Sequence, residues 1–420
     1  MKLKCLWTLL AYLICLSLSA CSPSAEEQAA TETQAASYAF ATQTALAPTA
    51  TRTPTPTATS TATPTITPTP TVTLIPAPSA TPYGMSKYGN PFVVFTARDE
   101  RGWWTVFGTN LDETPLQYYS VSSGDRTAHM PVWSPDASYL AWVEQDALAM
   151  AYYYVVFDLF NSQIFQPSQQ PVDSNAKFCW TYDSKYLVWS DHQPNSREMD
   201  IYRLEVETGE ITDLTQDSPV WDAFPACSPV SDAIAFVSDR ADGGKGTDNI
   251  WVMDSQGDSL RQLTNTPGWE NGRPTWSPDG REIAYYHSGY PGTSDVAFAQ
   301  GGVYVVKSDG CESRLVVKDD TLLFGANEAP VWSPDGRYLA YSAGLDESTI
   351  SVVSTLDGTL LWSSELPGRK SDLSWSSNSA YLLFTNEVDM INQIYILAIA
   401  EPRPVPMVTL PDNLWGMFAP

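Results

Sequence analysis

The sequence predicts an all-β domain, a seven-bladed β-propeller that follows a long N-terminal stalk. The main observation is a recurring phrase: TWSPDGREIAYY at 275–286 returns almost unchanged as VWSPDGRYLAYS at 331–342. Beyond Tyr83, aromatic and β-branched residues alternate with polar ones between recurrent turn residues, a pattern typical of short strands. Repeated units of this kind indicate a propeller rather than a sandwich.

The phrase occurs six times, and tryptophan occupies its anchor position in five of them. The anchor residues are Trp133, Trp180, Cys227, Trp276, Trp332 and Trp375. Successive anchors differ by 47, 47, 49, 56 and 43 residues, close to the length of four short strands with their turns. Ser-Pro-Asp-Gly within the phrase predicts a type I turn, so the anchor strand and the next strand form a hairpin.

Counting strand types predicts the number of blades. Within each four-stranded unit the anchor strand is the first strand, and the strand after the turn is the second. FVVFTA at 92–97 is a second strand, and each of the six phrases contains another. The third strands also total seven. Only six first strands precede them, and NLWGMF at 413–418 can supply the missing one. Pairing this last strand with the first partial unit closes a ring and removes the open edges. A six-bladed ring with one degenerate unit outside it is the alternative.

The N-terminus has the pattern of an export signal. Lys2 and Lys4 precede a short apolar run that ends in LSAC at 18–21, as in secretory signals. LSAC resembles the lipobox of bacterial lipoproteins, which implies that Cys21 becomes a lipidated N-terminus. We therefore expect a signal peptide at 1–20, a lipidated linker at 21–82 and a propeller at 83–420. The lipid on Cys21 would hold the protein on the outer side of a bacterial membrane, in the periplasm or at the cell surface.

The linker has the composition of a segment that forms no packed core. The linker is rich in Ala, Thr and Pro, with TATRTPTPTATSTATPTITPTPTVT at 49–73, so we expect a disordered stalk in extended polyproline-II conformation.

The chain has 23 basic and 48 acidic residues and a formal net charge of −25. Such a surface repels phosphate backbones, so we expect no nucleic-acid partner.

Two of the cysteines in the repeat region lie in neighbouring units. Cys179 and Cys227 occupy positions that differ by one residue within their units. Because successive strand residues point to opposite faces of a sheet, we expect no disulfide between them.

The stretch IWVMDSQGDSLRQLTNTPGWENGRPTWSPDGREIAYYHSG at 250–289 resembles the repeat of TolB-like β-propellers, within the WD-repeat-like class. The resemblance covers about residues 91–418 and implies the fold, because the motif encodes turns and packing rather than chemistry. The stalk replaces the globular domain that precedes the TolB propeller, so a role in the Tol system is not implied. A Gly-x-Ser-x-Gly elbow is absent from the sequence, so the peptidase activity of prolyl oligopeptidases is not implied either.

Candidate binding residues lie in the loops between blades, which share one face of the ring. Aromatic and charged residues there would suit an unidentified protein, peptide or glycan partner. The set consists of Arg126, His129, Trp221, Asp222, Trp269, Glu270, Arg273 and Glu328.

Catalytic and metal sites are weakly indicated. The histidines fall in different units, and no spacing brings two of them together as metal ligands. Asp239, Asp242 and Asp248 form a calcium candidate that lacks the ligand spacing of an EF-hand. We expect a monomeric, non-catalytic binding or scaffold module without a cofactor. The alternative is a lyase-like propeller enzyme acting on a polysaccharide, with His129 or His287 as a channel-side base.

Overall fold

The computed structural model describes residues 92–420 except for thirteen short segments. These are 112–118, 123–126, 147–149, 174–176, 193–197, 217–219, 245–246, 267–268, 290–300, 320–321, 323–327, 345–347 and 408–412. The side chains of residues 242, 269, 270 and 289 are not described. The predicted signal peptide, Cys21 and the stalk lie outside the described residues. Within the described part, helix is confined to one 3-10 turn, Arg240–Asp242, and no helix there is long and apolar enough to cross a membrane.

The described residues form 28 strands in seven four-stranded antiparallel sheets, the blades. Blade 1 consists of β1 (Phe92–Arg98), β2 (Trp104–Asn110), β3 (Tyr119–Ser120) and β28 (Asn413–Phe418). Blade 2 consists of β4 (Thr127–Trp133), β5 (Tyr139–Asp146), β6 (Ala151–Asp158) and β7 (Gln163–Phe165). Blade 3 consists of β8 (Phe178–Trp180), β9 (Tyr186–His192), β10 (Met199–Glu205) and β11 (Ile211–Asp213).

The other four blades repeat this order. Blade 4 consists of β12 (Asp222–Cys227), β13 (Ala233–Ser238), β14 (Asn249–Asp254) and β15 (Arg261–Gln262). Blade 5 consists of β16 (Trp269–Trp276), β17 (Glu282–Gly289), β18 (Gly302–Lys307) and β19 (Ser313–Lys318). Blade 6 consists of β20 (Val331–Trp332), β21 (Tyr338–Ala343), β22 (Thr349–Ser354) and β23 (Leu360–Ser363). Blade 7 consists of β24 (Arg369–Trp375), β25 (Tyr381–Val388), β26 (Ile391–Ala398) and β27 (Pro404–Pro406).

The last strand of the chain completes the first blade, as the strand count predicts. β28 pairs antiparallel with β1, so that Phe418 lies opposite Val93 and Asn413 lies opposite Ala97. The Thr96 hydroxyl also donates a hydrogen bond to the Leu414 carbonyl at 3.1 Å. The prediction of a closed seven-bladed ring is confirmed, and the six-bladed alternative is wrong.

The first strand of each blade lies at the centre of the ring. Strands β8, β12, β16, β20, β24, β28 and β4 contact one another in that order, so they line the central channel. Each sheet is an up-and-down meander. The loops between blades and the second turn of each blade therefore lie on one side of the ring, here called the loop face. The first and third turns lie on the opposite side, the turn face.

Anchor tryptophans join neighbouring blades through one repeated contact. In four blades the buried indole Nε1 donates a hydrogen bond to a backbone carbonyl of the preceding blade, always at the position before that blade's own anchor. The pairs are Trp180 with Val132 (3.2 Å), Trp276 with Ala226 (2.9 Å), Trp332 with Thr275 (3.3 Å) and Trp375 with Val331 (3.1 Å). The anchor position therefore faces the preceding blade, and the residue before it faces the following blade.

A disulfide bond takes the place of this contact between blades 3 and 4. Cys179 and Cys227 are joined with a sulfur–sulfur distance of 2.02 Å and a Cα separation of 5.7 Å. The expectation that they stay unpaired is wrong, because the opposed faces of two adjacent blades are the ones that meet. Cys227 occupies an anchor position and faces backward, whereas Cys179 lies one residue before an anchor and faces forward.

The Ser-Pro-Asp-Gly phrase forms the turn that the sequence predicts. In blade 5 the Ser277 hydroxyl donates to Asp279 at 2.7 Å and accepts the Glu282 N–H at 2.9 Å. The Gly280 N–H donates to the Ser277 carbonyl at 2.9 Å, and Gly280 has a φ of +69°. The left-handed backbone at this position favours glycine.

Candidate functional site

The channel-lining strands of five blades carry a bulge near the loop face. Their pairing with the second strand shifts register there, and the first extra residue has a positive φ. These residues are Met130 (51°), Phe224 (54°), Arg273 (56°), Asp372 (57°) and Trp415 (50°). Positive φ is uncommon for such residues and costs about 1–3 kcal/mol each. Bulges redirect side chains and are over-represented beside functional sites.

All five residues occupy the same position, three residues before the anchor. Phe418 takes the anchor position in blade 1, where its N–H donates to the Ser374 hydroxyl of blade 7 at 3.1 Å. In blades 3 and 6 the residues three positions before the anchor are Lys177 and Ala329. We call the ring of these seven residues the throat: Met130, Lys177, Phe224, Arg273, Ala329, Asp372 and Trp415.

An ion pair crosses the channel at the throat. The Lys177 ammonium of blade 3 contacts the carboxylate of Glu328, which precedes β20 in blade 6. These blades are three positions apart in a ring of seven, so the two side chains reach toward each other from opposite sides. The Lys177 side chain is 49% exposed and that of Glu328 is 25% exposed. The ion pair is therefore accessible to solvent.

Further charged groups surround this ion pair. Burial alone would raise the pKa of Glu328, but the positive charges of Lys177, Arg273 and Arg369 outweigh burial and lower it. Burial and the negative charge of Glu328 raise the pKa of Asp372. Burial lowers the pKa of Arg273, although Glu328 opposes that shift. The Arg273 guanidinium also lies 4.1 Å from the centre of the Phe224 ring, within the range of a cation–π contact.

Aromatic side chains form the part of the site between blades 1 and 2. The His129 ring lies 5.2 Å from the Trp415 ring in an edge-on arrangement, and Trp104 lies 6.4 Å from both rings. The Arg98 guanidinium covers Trp104 at 4.9 Å. Burial lowers the pKa of His129 to about 4, so its imidazole is neutral near pH 7. This side of the throat is apolar, in contrast to the charged side formed by blades 3, 5, 6 and 7.

The throat brings together only some of the residues predicted from sequence. Arg273 is a throat residue, and Glu328 and His129 lie beside throat residues. Asp222 is fully buried and pairs with Arg240 at 2.7 Å, so its carboxylate connects β12 to the 3-10 turn of blade 4. Trp221 is half-buried and lies 5.4 Å from the Phe224 ring. Arg126 and the side chains of Trp269 and Glu270 lie outside the described part.

The predicted channel-side role of His287 is wrong. His287 lies in β17, the second strand of blade 5, and is 4% exposed. A hydrogen bond of 2.7 Å joins its Nδ1 to Asn271 Oδ1. A second strand is separated from the channel by the first strand, so this histidine belongs to the interior of the blade.

The calcium candidate is described only in part. The Asp239 carboxylate accepts the backbone N–H of Trp221 at 3.0 Å, and Asp248 is buried. The Asp242 side chain lies outside the described residues. Among the side chains that the structure does describe, no group of three or more His, Cys, Asp or Glu residues could hold a metal ion.

Sequence reasoning missed every throat residue except Arg273, and one signal could have identified three of those missed, Met130, Phe224 and Ala329; nothing comparable marks Lys177, Asp372 or Trp415. Proline recurs two residues before the anchor in four blades, at 131, 225, 274 and 330. Proline cannot donate to a β-ladder and within sheets is found at edges or bulges. A repeated proline in a central strand therefore indicates a bulge, and the residue before it is the one whose side chain is redirected.

Comparison with known proteins supports the fold assignment. No family model matches the chain. It is 41% identical over 76 residues to the Tol-Pal system protein TolB of Alcanivorax borkumensis, covering 17% of this chain and 14% of TolB. It is also 30% identical over 175 residues to an uncharacterized protein of Agrobacterium fabrum, covering 39% of this chain and 49% of that protein. The matches thus span about half or less of these relatives.

Among solved structures, oligogalacturonate lyase in complex with manganese has a similar fold. The TM-score is 0.54 at 17% identity, over 73% of this chain and 85% of the lyase. Identity at this level shows a shared fold and carries no conclusion about activity. The repeat phrase, the seven blades and the match to TolB together show that residues 92–420 form a TolB-like β-propeller.

Proposed function

We propose that this protein is a non-catalytic binding module that holds a protein partner at the throat, on the loop face of its propeller. The observation that carries the proposal is the ion pair between Lys177 and Glu328 across the channel. It brings exposed charge to the one place where all seven blades converge. Beside it, the partly buried side chains of Phe224 and Trp415 offer apolar surface on strands rather than on loops. Such a mixture of aromatic, apolar and charged groups is typical of protein-binding centres.

The ion pair between Lys177 and Glu328 is arranged for binding rather than for proton transfer. Glu328 has a lowered pKa and a cationic partner, so it is a poor proton donor and a weak base near pH 7. Catalytic acids and bases are instead tuned toward the working pH. His129 is the remaining candidate for the lyase-like alternative, and its imidazole is surrounded by Trp104 and Trp415. The fold shared with oligogalacturonate lyase supports that alternative only by analogy.

The proposed location is outside the cytoplasm, with a lipid on Cys21 as the membrane anchor. The export signal and the lipobox resemblance support this location. The Cys179–Cys227 disulfide supports it independently, because such bonds persist in oxidising compartments. Labelling with a radioactive fatty acid tests the anchor. The wild-type chain is expected to take up label and Cys21→Ser to lose it, whereas equal labelling of both would contradict lipidation at this residue.

Site-specific photo-crosslinking in living cells tests the binding face. A photoreactive amino acid replaces Ala329 in the throat or Trp221 near it, and Phe160 on the turn face serves as the control. Phe160 is 86% exposed, so lack of access cannot explain a negative control. We expect a discrete protein adduct from positions 329 and 221 and none from position 160. Adducts of equal yield from all three positions, or from position 160 alone, would contradict the proposed face.

A turnover assay separates binding from the enzymatic alternative. The purified chain is incubated with uronic-acid and neutral polysaccharides, with and without divalent metal ions, and compared with His129→Ala. We expect no products from either protein. Product formation that disappears in His129→Ala would instead establish the lyase-like alternative.

A further inference from the structure

We propose that the throat recognises a carboxylate group on an acidic peptide segment of the partner, which replaces Glu328 as the ion-pair partner of Lys177 and as the negative charge that acts on Arg273. The inference rests on the proposed function and names the chemistry of the segment that enters the channel. In this proposal the Glu328 carboxylate and the ligand carboxylate compete for Lys177. Removing the carboxylate of Glu328 should then strengthen binding, a result that a merely structural ion pair would not produce.

The balance of charge at the throat supports this inference. The molecule as a whole is strongly acidic, with a net charge of −25, and yet three cations, Lys177, Arg273 and Arg369, act on Glu328. Among the seven throat residues the only carboxylate is Asp372, whose pKa is raised by burial and by Glu328. Even with both Glu328 and Asp372 counted as ionised, these three cations outnumber the two carboxylates. The local excess of positive charge is unusual for this protein and favours an anionic ligand.

The geometry allows exchange of one carboxylate for another. The Lys177 side chain is 49% exposed, so its ammonium can turn from Glu328 to a ligand carboxylate while it stays in contact with solvent. The Arg273 side chain differs from that of Lys177 in its orientation, which is fixed because the guanidinium packs 4.1 Å from the centre of the Phe224 ring. A guanidinium held in one orientation can bind a planar carboxylate through two parallel hydrogen bonds.

The apolar members of the throat favour a peptide as the carrier of the carboxylate. Met130 and Trp415 belong to one side of the ring, and Trp415 packs against the core cluster that contains Met130. The partly buried Trp415 ring offers apolar surface to side chains that flank a charged residue. An extended peptide can place a carboxylate at the charged side of the ring and an apolar neighbour at this side. The ring is lined on both sides by rigid strands, which reduces the entropy lost on binding.

Fluorescence anisotropy with designed peptides tests the inference directly. The probe is a labelled peptide that alternates Glu with Phe and Gly, and its matched control carries Gln in place of every Glu. We expect the wild-type chain to bind the Glu peptide more tightly than the Gln peptide, and added salt to weaken that binding. Lys177→Gln and Arg273→Gln should each weaken binding about tenfold, the scale of one charge-assisted hydrogen bond. Glu328→Gln should tighten binding several-fold.

Control variants keep each outcome interpretable. Arg314 lies in β19, the outermost strand of blade 5, and pairs with Glu282. We expect Arg314→Gln, which removes this cation, to leave peptide binding unchanged. Arg273→Lys preserves the charge if Arg273→Gln fails to fold, and its affinity should lie between those of wild type and a throat without this cation. Unchanged or weaker binding by Glu328→Gln, or equal affinity for the Glu and Gln peptides, would overturn the inference.

The crosslinking experiment distinguishes failure of this inference from failure of the proposed function. Adducts at position 329 without any preference for the Glu peptide would leave the throat as a binding site and remove the carboxylate from its specificity. A Glu preference that survives in both Lys177→Gln and Arg273→Gln would show that acidic peptides bind elsewhere on the chain.

Discussion

The disulfide between blades 3 and 4 provides a quantitative test of how the ring is held together. Reducing it, or replacing both residues in Cys179→Ala/Cys227→Ala, removes a covalent contact where four other blades have a tryptophan hydrogen bond. The bond closes a loop with a sequence separation of 48 residues. The chain-entropy relation for such a loop gives about 4 kcal/mol of stabilisation at 25 °C. Since unfolding entropy is about 2 cal/mol/K per residue, residues 92–420 should lose roughly 6 °C in Tm.

Denaturant and thermal unfolding of the purified chain, followed by tryptophan fluorescence, measure this loss. The protein is compared with and without a phosphine reductant, and Cys311→Ser serves as the control because Cys311 is an exposed cysteine outside the Cys179–Cys227 bond. We expect reduction to lower the free energy of unfolding by about 2–4 kcal/mol, allowing for partial structure in the unfolded chain. The Cys311→Ser protein should behave as wild type in both conditions. An unfolding transition that reductant does not move, with both thiols shown to be free, would refute the argument.

Three further predictions concern stability. Trp276→Phe should lower the free energy of unfolding by about 1–2 kcal/mol, because the hydrogen bond of 2.9 Å from the indole to the Ala226 carbonyl is lost. Exposed Trp103→Phe is the control, and equal losses for the two variants in denaturant titrations would contradict a stabilising contact between blades. Asp222→Ala should cost about 3–5 kcal/mol in the same titrations, since it leaves Arg240 unpaired, whereas exposed Glu312→Ala should cost under about 0.5 kcal/mol. Burial lowers the pKa of His287 to about 4, so the unfolded chain binds the extra proton and stability should fall as pH drops from about 6.5 to 4; a pH series in which His287→Gln loses stability as steeply as wild type would contradict this.

The fold was predictable because the repeat specifies it several times over. The Ser-Pro-Asp-Gly turn recurs with its hydrogen bonds at Ser277 and Ser333, and each anchor tryptophan marks the same strand. Closure by residues 413–418 followed from the imbalance between six first strands and seven second strands. These features are local in sequence, so their periodicity could be counted directly.

The disulfide and most of the throat could not be predicted because they depend on contacts between blades. Cys179 and Cys227 point to opposite faces of their own sheets, and only the stacking of two sheets makes those faces meet. Lys177 and Asp372 precede the two most degenerate phrases, WTYDS and WSSNS, and their importance follows from Glu328 in a distant unit. Arg273 and Glu328 were found because the sequence pattern assigned them to loops that combine aromatic and charged residues, although Arg273 lies in β16.

The burial of Asp222 illustrates a further limit. Its neighbour Trp221 and its acidic side chain gave it the pattern of an exposed binding loop. In the structure it is the first residue of β12 and is covered completely, with Arg240 as its counter-ion. A charged residue at the start of a strand can face either the interior or solvent, and the sequence around it does not distinguish the two. Its partner lies beyond the next strand and was not recognisable from spacing.

Crosslinking across the channel tests the central geometry most directly. In a Cys311→Ser background, Lys177→Cys/Glu328→Cys is treated with a short bis-maleimide, and the crosslinked peptides are identified by mass spectrometry. Lys177→Cys/Leu356→Cys is the control, because Leu356 is 89% exposed on the turn face of blade 6. An intramolecular crosslink between positions 177 and 328, and none between 177 and 356, is the predicted result. Absence of the 177–328 crosslink in a folded protein would contradict a throat at which blades 3 and 6 face each other.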